Sequence, residues 1–231
     1  MKTIKKVFLK TLTYFWVDLK IGEWIFKDIE KGKMNLEGDR AIEFPWCIRN
    51  FNSTNKLRIL DVGCVQSPLT GMAWRLGHDT VSVDLREIEY EMPGVEFVKK
   101  DVTTLDFSTN PFDLIIFCST IEHVGLLGRY SSNDKEDGDI RAINLCKNWL
   151  KKDGKIILTI PVGQDAIIRP YHRIYGQKTL PNLINNYNIL NQEYWAKRED
   201  NKWVQVNKEN ALNVDATKGP YALGLFDLVN K

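Results

Sequence analysis

From residue 57 onward, short apolar runs alternate with stretches of helical periodicity. The runs predict strands over 58–62, 80–84, 95–99, 112–118, 155–161, 189–197 and 221–229, and helices over about 69–76, 140–150 and 179–186. Leu114-Ile115-Ile116-Phe117 and Ile156-Ile157-Leu158 are continuously apolar, as expected of central parallel strands covered on both faces. Such alternation predicts an α/β fold built on an open, doubly wound sheet. Between the last two strands lies only the stretch around 202–220, a spacing that suits an antiparallel pair at the sheet edge.

Residues 1–56 precede this core and are rich in aromatics (Phe15, Trp16, Trp24, Phe26, Phe44, Trp46, Phe51). They read as a helical extension packed on the core at 57–231 rather than as an independent domain. Within them Ile4, Phe8, Leu12, Phe15, Trp16 and Leu19 recur near helical spacing, with Lys2, Lys5, Lys6 and Lys10 alongside. This amphipathic helix could pack on the domain, join a second subunit in a homodimer, or rest on an anionic membrane surface. It lacks the features of a cleaved signal and is too short to span a bilayer.

Composition narrows the field. The chain has 231 residues, 43% of them hydrophobic and 11% aromatic, enough for a sizeable core. Its net charge of +2 gives no argument for a nucleic-acid partner. The four cysteines (Cys47, Cys64, Cys118, Cys146) form no CxxC pair and no zinc pattern, which points to reduced, buried thiols and a cytoplasmic protein.

The chemistry begins at 57–84, LRILDVGCVQSPLTGMAWRLGHDTVSVD. It reads as strand, turn, helix and strand, with Asp61 near the end of the first strand, Gly63 at the turn, and Asp84 ending the second strand. A carboxylate at the end of the second strand accepts hydrogen bonds from two neighbouring hydroxyls, so the unit suits a nucleoside-containing cofactor. Asp84 taken alone could equally cap a helix.

Taken in order, Asp61-Val62-Gly63-Cys64, Asp84, Lys100-Asp101-Val102, Phe112-Asp113-Leu114-Ile115 and Leu150-Lys151-Lys152-Asp153-Gly154-Lys155 resemble the class I S-adenosylmethionine-dependent methyltransferases over about residues 57–229. The resemblance implies a Rossmann-like, seven-stranded, mostly parallel sheet with one antiparallel edge strand, and S-adenosylmethionine lying across the carboxyl ends of its first strands. It implies Asp61 and Gly63 beside the methionine moiety, Asp84 on the ribose, Asp101 on the adenine amine and Val102 through its backbone amide. Cys64, Leu85 and Ser119 fall among the other cofactor-contacting positions. The family's further glycines are missing, because Val65 follows Cys64 where a glycine lets the backbone approach a ligand.

Two later clusters, Ser119-Thr120-Ile121-Glu122-His123 running on to Gly128-Arg129-Tyr130, and Pro161-Val162-Gly163 with His172-Arg173-Ile174-Tyr175, resemble a subgroup often accompanying surface-polysaccharide genes. Methyl transfer from a sulfonium is an in-line displacement in which alignment provides most of the catalysis, while a hydroxyl or phosphate-type acceptor still benefits from proton removal. His123 is the first candidate base and His172 the second. Glu122, Arg129, Tyr130, Arg173 and Tyr175 are candidates for contact with a small-molecule or glycan acceptor, though each arginine could instead anchor its loop. His78 reads as structural. Glu122, His123, His172 and Asp165 have metal-ligating side chains, but their spacing gives a metal no support. The expectation is thus an O-methyltransferase in surface-polysaccharide biosynthesis. The alternatives are a catalytically silent assembly protein on the same fold, or an RNA methyltransferase, for which neither a basic face nor a base-binding motif is evident.

Overall fold

A computed structural model describes residues 38–51, 53–88, 92–128, 130 and 135–231. The amphipathic helix expected within residues 2–20, and Arg129, lie outside the described residues.

The first element among the described residues is α1 (Arg40–Phe51), followed by β1 (Arg58–Val62), α2 (Leu69–Arg75), β2 (Asp79–Asp84), β3 (Glu96–Lys99) and β4 (Phe112–Cys118). Then come α3 (Gly138–Trp149), β5 (Leu150–Val162), β6 (Ala166–Ile168), β7 (His172–Ile174) and α4 (Thr179–Ile184). The chain continues through β8 (Tyr187–Lys197), β9 (Trp203–Val206) and α5 (Lys208–Leu212) to β10 (Ala222–Asn230).

Eight strands form one sheet in the order β3-β2-β1-β4-β5-β10-β8-β9, and β6 pairs with β7 in a separate ribbon. β1 to β5 run parallel, whereas β10 enters antiparallel between β5 and β8. The α/β, doubly wound, mostly parallel architecture is as expected, with two corrections. β10 is interior rather than an edge strand, and β9 adds an eighth strand, antiparallel to β8. β9 arises because Asn201 adopts φ +63° and turns the chain back, with the Arg198 N–H donating to the Lys202 carbonyl (2.9 Å).

Alternate residues of the central strands feed two apolar layers. Leu60, Val62, Ile115, Phe117, Ile156 and Leu158 pack with Ala142, Ile143, Cys146 and Trp149 of α3. The opposite face, Ile59, Leu114, Ile116, Ile157 and Leu225, is covered by Ile42, Phe44, Trp46, Cys47 and Phe51 of α1 and by Leu69 and Ala73 of α2. Both faces are dry, which is why these strands read as continuous apolar runs. α1 therefore reaches the carboxyl end of β4 from the front of the chain. All four cysteines are buried free thiols, and His78 is structural: its Nδ1 accepts from the Leu57 N–H (3.2 Å) while Nε2 meets the Phe51 carbonyl (2.6 Å). No helix among the described residues is long and apolar enough to cross a membrane.

Candidate functional site

In a parallel sheet whose strand order reverses beside the first strand, ligands bind outside the carboxyl ends at that reversal. The reversal here falls between β1 and β4, and an open crevice of about 940 Å³ lies there. Its walls include Gly63, Asp84, Leu85, Asp101, Val102, Ser119, His123 and Tyr130 among the expected residues. They also include Arg40, Phe44, Arg86, Lys100 and Cys118, which sequence reasoning missed.

Gly63 turns the chain out of β1 with φ +83°, its N–H bonded to the Val83 carbonyl (2.8 Å). A Cβ at this position would stand 2.3 Å from Thr120 Oγ1, so only glycine fits the turn. The missing second glycine is accommodated because Val65 sits in a single 3-10 turn (Cys64–Gln66) and does not line the crevice; its N–H instead donates to Asp84 Oδ2 (3.0 Å).

Asp84, at the end of β2, also accepts from the Arg86 N–H (3.0 Å) and from the Arg86 guanidinium through Nε (3.0 Å) and Nη2 (2.9 Å). Burial pushes its carboxyl up, but these donors outweigh burial and hold it below the ordinary carboxylate range. The same guanidinium lies 4.7 Å from the Tyr130 ring centre. Asp101 follows β3; its Oδ1 caps the next turn through Thr103 N (2.9 Å) and Oγ1 (2.8 Å), and its Oδ2 is 3.8 Å from Lys135 Nζ. Two carboxylates thus stand side by side at one end of the crevice, beside apolar Leu85 and Val102.

Several expected contacts lie below the crevice floor. Asp61 is buried and accepts from Thr70 Oγ1 (2.6 Å), so it anchors the first turn of α2; burial pushes its carboxyl up to about 6. Cys64 is buried, and burial pushes its thiol well up. Arg173 donates to the carbonyls of Glu122 (3.3 Å), Val124 (2.8 Å) and Glu136 (3.1 Å), while the Tyr175 hydroxyl donates to Asp139 (2.8 Å). Both are buried and absent from the crevice wall, so they tie the loops after β4 to the β6–β7 ribbon rather than face an acceptor. Asp165 accepts from the N–H groups of Gly176, Lys178 and Thr179 ahead of α4. Among the described residues no group of three or more His, Cys, Asp or Glu side chains is placed to hold a metal.

His123 reaches the crevice from the turn after β4, with Nδ1 2.5 Å from the Tyr171 carbonyl. A carbonyl only accepts, so Nδ1 carries the proton and Nε2 keeps a lone pair in the neutral ring. Glu122 Oε1 lies 3.6 Å from that Nε2. Burial, reinforced by the nearby Glu43 charge, pushes Glu122 up to about 8. The His172 ring stands edge-on to His123 (6.2 Å between centres) and to Tyr221 (5.6 Å), whose hydroxyl donates to Asp39 (2.8 Å).

The deepest feature comes from α1. Glu43 is fully buried and accepts from the hydroxyls of Ser119 and of Thr159 (2.6 Å) and from Arg40 Nη1 (2.5 Å). Ser119 takes φ +47°, an uncommon conformation for a residue with a side chain, costing about 1–3 kcal/mol and held by these contacts. Burial works against the Arg40 cation, but Glu43, together with the other acidic groups around it, outweighs burial and raises its pKa further. The clue in the sequence was spacing: Arg40, Glu43, Phe44 and Cys47 fall on one helical face, and a carboxylate there must either be exposed or be partnered.

The fold is that of the class I methyltransferases. A Burkholderia thailandensis 1,6-didemethyltoxoflavin-N1-methyltransferase, solved with bound 1,6-didemethyltoxoflavin and S-adenosylhomocysteine, superposes with a TM-score of 0.57 at 16% identity, over 90% of this chain and 86% of that one. An Archaeoglobus fulgidus S-adenosylmethionine-dependent methyltransferase gives 0.57 at 14% identity, over 90% and 99%. The N-methyltransferase NodS of Bradyrhizobium japonicum WM9, bound to S-adenosylhomocysteine, gives 0.55 at 12%, over 83% and 87%. No curated protein matches the sequence. The family model that does match covers residues 76–219, from the turn before β2 to just before β10, and places the chain in the family described as Caenorhabditis protein of unknown function, DUF268.

Proposed function

We propose that this protein binds S-adenosylmethionine and transfers its methyl group to a hydroxyl, or phosphate-type oxygen, of a small-molecule or glycan acceptor. The observation that carries this reading is the crevice itself: neighbouring carboxylates, Asp84 and Asp101, at one end and on its wall a histidine whose Nδ1 is committed to a backbone carbonyl. The donor set fits the cofactor. Asp84 can accept two ribose hydroxyls, Asp101 can accept the adenine amine, and Leu85 and Val102 offer apolar surface to a base. The ribose hydroxyls take the place of the two guanidinium bonds that Arg86 makes to Asp84.

When bound, the cofactor supplies a methyl group already activated on a sulfonium, so the chain's own task is alignment and proton removal. His123 Nε2 accepts the proton of the acceptor hydroxyl, while the Tyr171 carbonyl holds the ring in the required tautomer. Glu122 keeps its proton at neutral pH and so places no anion beside that nitrogen. An oxygen acceptor is favoured over nitrogen because a base is provided. The glycan-type acceptor rests on the resemblance carried by residues 119–130 and 160–176.

Calorimetry with S-adenosylhomocysteine tests the cofactor reading. The full chain is expected to bind it, and Asp84→Ala to weaken it at least tenfold; equal affinity in that variant removes Asp84 from the site. A chain that binds neither S-adenosylhomocysteine nor S-adenosylmethionine is the silent relative that the Arg86 cap on Asp84 would suit. Methyl transfer to a panel of nucleotide sugars, glycans and phosphate esters then tests the base. His123→Ala is expected to lose turnover while keeping cofactor affinity, and full turnover in it sinks the assignment.

A further inference from the structure

We infer that Arg40, from the helix ahead of the core, binds the carboxylate of the cofactor's amino-acid arm. This rests on the cofactor reading above and assigns a residue outside the core strands to it. The sheet order sets the direction of the ligand. Asp101 follows β3 and Asp84 ends β2, so the nucleoside lies over those two strands and its 5′ arm points past β1 toward β4. Neighbouring strands stand about 4.8 Å apart, which puts the end of β4 about 10 Å from that of β2 and about 14 Å from that of β3. That separation suits a nucleoside carrying an extended amino-acid arm.

An amino-acid carboxylate delivered to the end of β4 needs a cation there. Among the described residues, three arginine or lysine side chains line the crevice. Arg86 and Lys100 stand just past the ends of β2 and β3, at the nucleoside end of the crevice. Arg40 is the one beside β4, its Nη1 3.7 Å from Cys118 Sγ.

Arg40 is also pre-oriented. Both of its side-chain hydrogen bonds among the described residues, to Glu43 and Cys118, run through Nη1, while the side chain remains 39% exposed in the crevice wall. Nε and Nη2 donate to nothing among the described residues, leaving one edge of the planar guanidinium for a two-point contact with a carboxylate. Glu43 is itself fixed by the Ser119 and Thr159 hydroxyls, so the fork is anchored to β4 and β5 and loses little freedom on binding.

The test compares ligands with and without the carboxylate on the full chain. The probes are S-adenosylhomocysteine, its decarboxylated analogue S-adenosyl-3-thiopropylamine, and 5′-methylthioadenosine, which lacks the whole amino-acid arm. The wild-type chain is expected to prefer S-adenosylhomocysteine over the decarboxylated analogue by about ten- to a hundredfold. Arg40→Met should abolish that preference and leave 5′-methylthioadenosine affinity unchanged, and Arg40→Lys should retain part of it. Should Arg40→Met fail to fold because Glu43 loses its counter-charge, the double variant Arg40→Met/Glu43→Gln takes the same measurement. The assignment is overturned if the wild type shows no preference, or if the preference survives loss of Arg40, as it would were Arg40 reserved for an anionic acceptor. Those results leave the cofactor reading standing, because both nucleosides still bind; a wild type that binds none of the three ligands overturns that reading and this one together.

Discussion

At the scale of single residues, Glu122 shows how a site uses a charge it does not express. The side chain is buried, its Oε2 makes no hydrogen bond among the described residues, and Glu43, Asp39 and Arg40 supply the surrounding charge. Its pKa rises from an ordinary 4.5 to about 8, so the native state holds a proton that the unfolded chain releases. Where the native state binds more protons than the unfolded one, stability falls as pH rises. Glu122 therefore contributes fully below about pH 4.5, loses up to about 1.4 kcal/mol per pH unit through the window to 8, and flattens above it. Glu122→Gln mimics the protonated form and removes this slope. Urea unfolding at pH 5, 6.5 and 8 should show wild-type stability falling relative to the variant as pH rises. Asp61 titrates in both proteins and cancels in the difference, so a gap independent of pH would show that Glu122 is ionised in the native state.

At the scale of elements, what the sequence disclosed and what it hid divide along the range of the interactions involved. The run 112–118 announces β4 because both faces of that strand are covered, and Asp84, which ends β2, and Asp101, which follows β3, stand on the crevice wall where the strand pattern places them. Glu43 announces nothing, since its partners Ser119 and Thr159 lie 76 and 116 residues further along the chain. The aromatic stretch before residue 57 reads only as a cover, yet α1 both packs on the sheet and delivers Arg40 and Phe44 to the crevice. Arg173 and Tyr175 were misleading for the converse reason. Polar residues following a strand at the carboxyl edge invite a substrate reading, but Asp139 and the carbonyls of Glu122, Val124 and Glu136 engage them first. β9 was hidden by its brevity: of four residues only Trp203 is buried, so no alternating pattern long enough to read exists.

At the scale of the whole molecule, the crevice is assembled from chain segments far apart in sequence, and a ligand that fills it must couple them. One end belongs to β2 and β3, the middle to the turn after β1, and the far end to α1 with the loop after β4. The β8–β9 edge has no part in it and lies on the other side of β10. A ligand that binds only the native state suppresses local opening wherever it makes contact, and slows amide exchange there more than elsewhere. Saturating S-adenosylhomocysteine should therefore increase protection at 83–86 and 101–104, at 63–66, and in α1 around 40–47, while 187–206 changes little. 5′-Methylthioadenosine should reproduce the first two effects and omit the one in α1, because it has no amino-acid arm to bring Arg40 into contact. Protection of α1 by both ligands alike would mean that the helix responds to global stabilisation, and its part in the site would then be structural only.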